Sequence, residues 1–288
     1  VYGAAFDGYM AVRHTCAASM EEAAAMRGSK YVQSDLGETF HQVKEQLEAG
    51  KPVLFTGLAC QVDGLKHYLG RDYDNLLTCD LVCNGVPSPA VFQAYLKKLS
   101  MEHGAPVTGL RFRDKAHGWS HSHMTVRFAD GGSTTTPLHR TTFGRGFGMQ
   151  LFLRPVCSKC RYTSVSRPAD LTLGDFWGLD PKLKLPTDRE KGVSLVLVNS
   201  AKGQKAFDAL ADKLGQVERP LAEAVAGNPR LAYPLTHNPK RGAFFAAFAA
   251  MPFDQVEQKY LTPPPLPYRA AAKVLTPKMK EKIRKILK

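Results

Sequence analysis

The chain has 288 residues, 44% hydrophobic and 23% charged, with a net charge of +13. That length can bury a core without disulfides, and that balance excludes a disordered or fibrous chain. No apolar run reaches the roughly 18 to 20 residues of a membrane span.

Residue 1 is Val, and the text opens on the apolar "VYGAAF" with no charged leader, which reads as a beginning that has been trimmed. "VYGAAF" and "MAVRHTCA" predict a strand pair around "DGY". "SMEEAAAMRGS" predicts a helix capped by Ser19 and ended at Gly28, and "SDLGETFHQVKEQLEAG" a second one capped by Ser34 or Asp35 and stopped at Gly50. Next, "KPVLFTG" reads as a buried strand, "ACQVDGLKHYLG" as a helix and "NLLTCDLVC" as a strand, an order that makes the two strands parallel. "SPAVFQAYLKKLSMEHG" follows as a helix with Ser88 as cap and Pro89 at its first position.

The middle changes character. "VTGLRFRD", "SHMTVRFAD" and "STTTPLHR" are alternating strands with a hairpin turn at "DGG". After "RPVCSKCRY", the segments "ADLTLGD" and "VSLVLVN" are two more strands, the second followed by the helix "KGQKAFDALADKLG". "GAFFAAFAAMPF" near residue 242 is cut by Pro252 and reads as a buried or partner-facing helix. The fold class expected is mixed α/β (α+β): a partly parallel sheet with crossover helices, an antiparallel strand region and C-terminal helices.

Three parts follow: 1–104, 105–260, and a Pro-rich linker with a basic tail at 261–288. The last 27 residues hold eight Lys or Arg against one Glu. This tail reads as a solvated helix, or as an amphipathic one that meets an acidic partner or a membrane surface. Nucleic acid is disfavoured, because aromatic residues do not interleave with the basic ones.

Six unevenly spaced cysteines are unlike a secreted disulfide scaffold, so a reducing, cytoplasmic setting is expected, with thiols available to metal. Cys157 and Cys160 form a CxxC that grips one edge of a metal site. Cys60 stands just past one parallel strand and Cys83 at the end of the next, and the ends of neighbouring strands are about 5 Å apart. Ligands gather along that edge of a parallel sheet. Gly57, Asn84 and Gly85 flank these thiols, and free N–H groups at a helix start favour thiolate. The four thiols suit one [4Fe–4S] cluster or one structural zinc, and the pattern does not choose between them. Cys79 reads as a buried small hydrophobe or a substitute for Cys83, and Cys16 as structural.

Two further runs carry side chains with chemistry. His117, His121 and His123 read as a polar strand edge before they read as metal ligands. In "SRPADLTLGDFWGLD", Gly174 and Gly178 would let backbone approach a planar cofactor, with Asp175 accepting hydrogen bonds and Trp177 covering a ring; equally, Trp177 anchors a tight turn.

"SKYVQSDLGETF", "VLFTGLACQVDGLKHYL", "LLTCDLVCNGVPSPAVFQAYL", "LRPVCSKCRYTSVSRPADLTLGDFWG" and "KGVSLVLVNSAKG" together resemble the coenzyme F420 hydrogenase/dehydrogenase beta subunit family, whose members read GTPCQ, CHGVPS, RPSCYxC and SDITLGDFWG in this order. The resemblance covers roughly residues 1 to 200 and implies an oxidoreductase: an iron–sulfur flavoprotein that passes electrons between a reduced carrier and an acceptor through a [4Fe–4S] cluster and FAD. It implies Cys60, Cys83, Cys157 and Cys160 as cluster ligands. It also implies a flavin against Ser34, Asp35 and Gly37, against Asn84 and Gly85, and against Gly174, Asp175 and Trp177.

The chain departs from the family pattern at Ala59, where Pro is usual, and at Asn84, where His is usual. Many relatives also carry an N-terminal ferredoxin-like domain and a Ser- and Gly-rich segment, and this chain begins after both. Similarity to bacterial members points to a ferredoxin or nicotinamide donor as well as the deazaflavin, and to a redox partner protein or domain. The rival expectation is a non-catalytic module, stabilised by zinc or a cluster, that binds a partner.

Overall fold

The computed structural model describes residues 1–180 and 182–263. Strands β1 (Tyr2–Phe6) and β2 (Val12–Cys16) form the expected antiparallel pair. Ser19 caps α1 by accepting from Glu22 N, but α1 (Met20–Ala24) stops well before Gly28. Helix α2 covers Thr39–Glu48 with Glu38 before it and no side-chain cap, so neither Ser34 nor Asp35 caps it. Asp35 instead extends along β2: its N–H donates to Val12 O, and its carbonyl accepts from His14 N. Backbone pairing takes residues 34 and 35 out of reach of a helix start.

The central unit forms as its periodicity predicts. β3 (Val53–Leu58) leads into α3 (Ala59–Leu69), which Gly70 ends at φ 69°, and β4 (Leu76–Leu81) returns parallel to β3. α4 (Pro89–His103) opens on Ser88, whose hydroxyl accepts from Val91 N. β5 (Val107–Asp114), β6 (His123–Phe128) and β7 (Ser133–Pro137) form a separate antiparallel sheet. After α5 (Thr142–Gly148), β8 (Leu171–Asp175) and β9 (Ser194–Val198) return to the first sheet, whose order is β2-β1-β3-β4-β8-β9. One sheet is thus shared between the parts set at 1–104 and 105–260. Helices α6 (Ala201–Asp208), α7 (Leu221–Gly227), α8 (Arg241–Ala250) and α9 (Phe253–Tyr260) complete the described chain. The linker and basic tail lie, from residue 264 on, outside the described residues.

Apolar burial organises these layers. Tyr2, Val53 and Phe55 of the sheet pack with Val43 and Leu47 of α2 and with Val62 and Leu65 of α3. Phe92, Phe112, Phe143, Phe152 and Phe244 tie α4, α5 and α8 to the antiparallel sheet, so the apolar run near residue 242 buries one face. A third group joins Phe176, Leu195, Ala224 and Leu231. The consequence for function is an edge: β1, β3, β4 and β8 run parallel and end together.

Candidate metal centre

Cys60 is the second residue of α3. Gln61 fixes that corner, because its Oε1 accepts from Leu58 N at 2.9 Å while its Nε2 donates to Ser34 Oγ at 2.9 Å. Cys83 stands two residues beyond β4, not inside it, where Gly85 N–H donates to its Sγ at 3.3 Å. Gly85 has φ +89°, which favours glycine, and a Cβ there would lie 2.6 Å from Leu235 Cδ1 and 2.7 Å from Leu153 Cδ1, so both leucine side chains would have to shift.

Cys157 and Cys160 belong to the 3₁₀ turn at Pro155–Lys159 and its exit. Backbone pairing brings this loop to Cys83: Ser88 N donates to Phe152 O, Pro87 bridges Leu153, and Arg154 N donates to Val86 O at 3.0 Å. On the far side Tyr162 Oη donates to Asp63 Oδ2 of α3 at 2.6 Å. The CxxC loop is therefore stitched to both of the elements that carry the other two thiols.

Cys60, Cys83, Cys157 and Cys160 line one cavity of about 350 Å³. Cys16 and Cys79 do not; Cys16 is exposed on β2, and burial pushes the Cys79 thiol up to about 12. Burial, opposed by the Gly85 N–H, also pushes Cys83 up to about 12, with the neighbouring thiols Cys157, Cys60 and Cys160 adding to it. Partial burial raises Cys60, then Cys160 and Cys157 raise it further, and Arg154 pulls it down. Cys157 is raised by burial against hydrogen bonding at Val86. Cys60, Cys83 and Cys157 thus each feel the charge of neighbouring thiols. Among the described residues, no three His, Cys, Asp or Glu side chains are grouped to hold a single metal ion.

The wall is cationic. Arg154, Lys159, Arg161, Arg167 and Arg230 line it beside the apolar Leu58, Val86, Val156 and Leu235. Arg154 precedes the CxxC in sequence and Lys159 lies within it. Arg167 had no local signal, nor did Arg230 and Leu235, which arrive from 70 or more residues further along.

The residues expected to meet a flavin stand beside β2, after β4 and at the end of β8. Asp35 takes Arg13 in an ion pair of 3.0 Å and accepts from Gly37 N, where φ is +45°. Asn84 and Gly85 follow Cys83 directly. Gly174 packs on Val82, with a Cβ placed there at 3.0 Å. Asp175 accepts from Trp119 Nε1 at 2.8 Å and pairs with Arg113 at 3.3 Å. Trp177 stacks on Trp119 with ring centroids 4.6 Å apart and planes 3° from parallel. No local motif announces Trp119 and Arg113, which lie more than 50 residues before Asp175 in the chain. Asp170 is structural: Thr78 N and Oγ1 donate to its Oδ2, and Ser200 Oγ donates to Oδ1. The histidines bond locally, His123 Nδ1 lying 2.7 Å from His121 O and His121 Nδ1 3.1 Å from Ser120 Oγ.

The family model for the C terminus of the coenzyme F420 hydrogenase/dehydrogenase beta subunit matches residues 50–222. The chain belongs to this family. The matched region contains all four cavity thiols and the Gly174–Trp177 segment, and it ends before Arg230. Among solved structures, the F420-reducing [NiFe] hydrogenase complex from Methanosarcina barkeri, in a xenon derivatisation study, contains a similar chain. The likeness has a TM-score of 0.46 at 17% identity, over 83% of this chain and 82% of that one. No curated protein matches. Family membership gives the chain a redox context of the hydrogenase beta subunit kind. Among the described residues no helix is long and apolar enough to cross a membrane.

Proposed function

We propose that this chain is an oxidoreductase subunit or domain that passes electrons between a reduced carrier and an acceptor, with a [4Fe–4S] cluster on Cys60, Cys83, Cys157 and Cys160 and FAD against the adjoining sheet edge. The observation that carries the reading is the gathering of four thiols, from three separated segments, around one cavity of about 350 Å³. A structural zinc needs four ligands converging at about 2.3 Å. Four thiols on the wall of a cavity of about 350 Å³ leave room for a polynuclear group, whose ligands sit at its corners.

The residues of the chain supply holding and tuning. Buried Val86 and half-buried Leu58 and Leu235 give the wall an apolar part, and Gly85 N–H, as a donor to Cys83 Sγ, favours its thiolate. Arg154 does the same for Cys60 and Cys157. When bound, the cluster would supply one-electron chemistry and the flavin would couple it to two-electron carriers. For the flavin, Ser34 retains its hydroxyl proton as a donor while accepting from Gln61, and the Trp119–Trp177 stack offers an aromatic boundary. Exposed Arg154, Lys159 and Arg161, with Val156 60% and Val165 42% exposed, form the face that a redox partner protein would meet. The carrier is a deazaflavin, a ferredoxin or a nicotinamide.

The test is anaerobic reconstitution with assays of iron, sulfide and flavin on the wild-type chain and on single Cys→Ser variants. A brown protein with absorption bleached by dithionite, lost in the Cys60, Cys83, Cys157 and Cys160 variants, is expected. A colourless protein with one zinc per chain would sink the cluster.

A further inference from the structure

The amide of Gln61, at the start of α3, has its direction fixed from both ends. Its Oε1 accepts from Leu58 N at 2.9 Å, and because an N–H cannot face another N–H, that bond decides which way the amide lies. Its Nε2 is thereby committed to the other side, where it donates to Ser34 Oγ at 2.9 Å. Gly57 leaves the space for this arrangement: a Cβ there would lie 3.2 Å from Gln61 Oε1 and 3.1 Å from the Phe55 ring.

Ser34 is held on either side by backbone pairing. Gln33 N donates to Pro87 O at 3.1 Å, in the loop that follows Cys83, and Asp35 pairs with β2 through Val12 O and His14 N. The half-buried serine therefore stands between the Cys83 loop and the helix start that carries Cys60. A serine hydroxyl has one hydrogen to donate and lone pairs to accept with. With Gln61 Nε2–H aimed at Oγ, the Ser34 hydrogen points elsewhere, and no acceptor among the described residues takes it.

We infer that Gln61 is a positioning residue: its amide sets the polarity of Ser34, so that the serine donates its hydroxyl hydrogen to an acceptor atom of the flavin bound against residues 34–37. This rests on the flavin reading above. A free serine turns its hydroxyl to suit any neighbour and offers a donor or an acceptor alike. Held by Gln61, Ser34 offers a donor, and the ordering is complete before the ligand arrives. The same amide accepts from the backbone that opens α3, two residues ahead of Cys60, so one side chain ties the flavin contact to the start of the cysteine-bearing helix.

The experiment titrates FAD into the anaerobically reconstituted full chain, following the absorption of the bound flavin, for wild type, Ser34→Ala, Ser34→Thr, Gln61→Glu and the double variant Ser34→Ala/Gln61→Glu. The carboxylate of Gln61→Glu still accepts from Leu58 N but accepts from Ser34 as well, which turns the serine hydrogen away from the flavin. Ser34→Ala and Gln61→Glu are each expected to weaken FAD binding roughly three- to tenfold, the size of one hydrogen bond. Ser34→Thr keeps the hydroxyl and binds as wild type. The deciding readout is additivity. Repulsion between the new carboxylate and the flavin would add to the loss in Ser34→Ala, whereas one donor cannot be lost twice, so the double variant is expected to bind no more weakly than the weaker single variant. Additive losses, or a Ser34→Ala chain that binds FAD like wild type, overturn the assignment and leave the flavin reading intact. A wild-type chain that binds no FAD overturns both. Should Gln61→Glu fail to fold, Ser34→Ala against Ser34→Thr decides, and equal binding by the two overturns the assignment.

Discussion

Arg167 Nη2 donates to Asp80 Oδ1 at 3.0 Å, and the two side chains are 2% and 0% exposed. The pair crosses 87 residues of sequence and stands behind the cysteine cavity, whose wall includes Arg167. Burial pushes the Asp80 carboxyl up, and Arg167 opposes that push. Its Nη1 also donates to Tyr162 O, so the same guanidinium holds the end of the CxxC loop.

Arg167→Met therefore leaves Asp80 buried without its counter-charge and releases that loop. A loss of about 3–5 kcal/mol is expected, the range seen on removing one partner of a buried pair. Urea unfolding of the metal-free chain measures it, and a loss under 1 kcal/mol on the same scale would contradict the burial.

Gly85→Ala forces a Cβ into Leu235 and Leu153 at a backbone angle that L-residues rarely adopt. The cost expected is about 2–5 kcal/mol, from strain and overpacking together. Thermal unfolding reads the loss, and iron content after reconstitution should fall with it, because relieving φ +89° turns the residue 85 N–H, which alanine retains, away from Cys83 Sγ.

Cys79→Ala should retain full iron and sulfide, since this thiol is buried within β4 and does not line the cavity. Its stability cost is about 1 kcal/mol, the usual size for a small core truncation. Loss of iron in this variant alone would reassign the ligand set from Cys83 to Cys79.

Asp170 ties β4, β8 and the start of α6 together. Burial raises its carboxyl, but hydrogen bonds from Ser200 and Thr78 outweigh that, and its pKa ends below the ordinary aspartate value. A depressed folded-state pKa means stability that is fully present above the unfolded value and lost as pH falls through the folded one. Asp170→Asn should cost about 1–3 kcal/mol at neutral pH, with a smaller difference from wild type in acid. A difference that grows in acid would reverse the sign.

Trp119 and Trp177 are the only tryptophans in the chain, and they stack on each other. Tryptophan fluorescence thus reports on this edge of the sheet alone. Titration with FAD should quench it saturably, and Asp175→Ala should weaken the quenching by removing the acceptor that fixes Trp119 Nε1. FAD that binds without changing this fluorescence would place the flavin elsewhere.

Much of the fold was legible because burial repeats locally. Val53 and Phe55 alternate along β3, and Val62, Leu65 and Leu69 recur along α3, so period alone announces a strand, a helix and the parallel return of β4. The CxxC was legible as a local spacing, and Cys60 and Cys83 by their places at strand ends. The caps proposed at Ser34 and Asp35 failed for the opposite reason: a bridge to β2, more than 20 residues away, competed for that backbone and won.

By itself, the sequence determined the elements, the mixed α/β class and the four thiols, each of which leaves a mark within a few neighbouring residues. Only the tertiary structure decided that those thiols share one cavity, because the joining contacts are the Pro87–Leu153 bridge, the Arg154 to Val86 hydrogen bond and the Tyr162 to Asp63 hydrogen bond. It also decided what surrounds them. Arg230 reaches the wall because Leu231 and Asn228 are buried beside it, and Asp175 meets Trp119 across 56 residues. Such partners are chosen by packing and backbone pairing over long separations, and neither leaves a period or a motif at the residue itself.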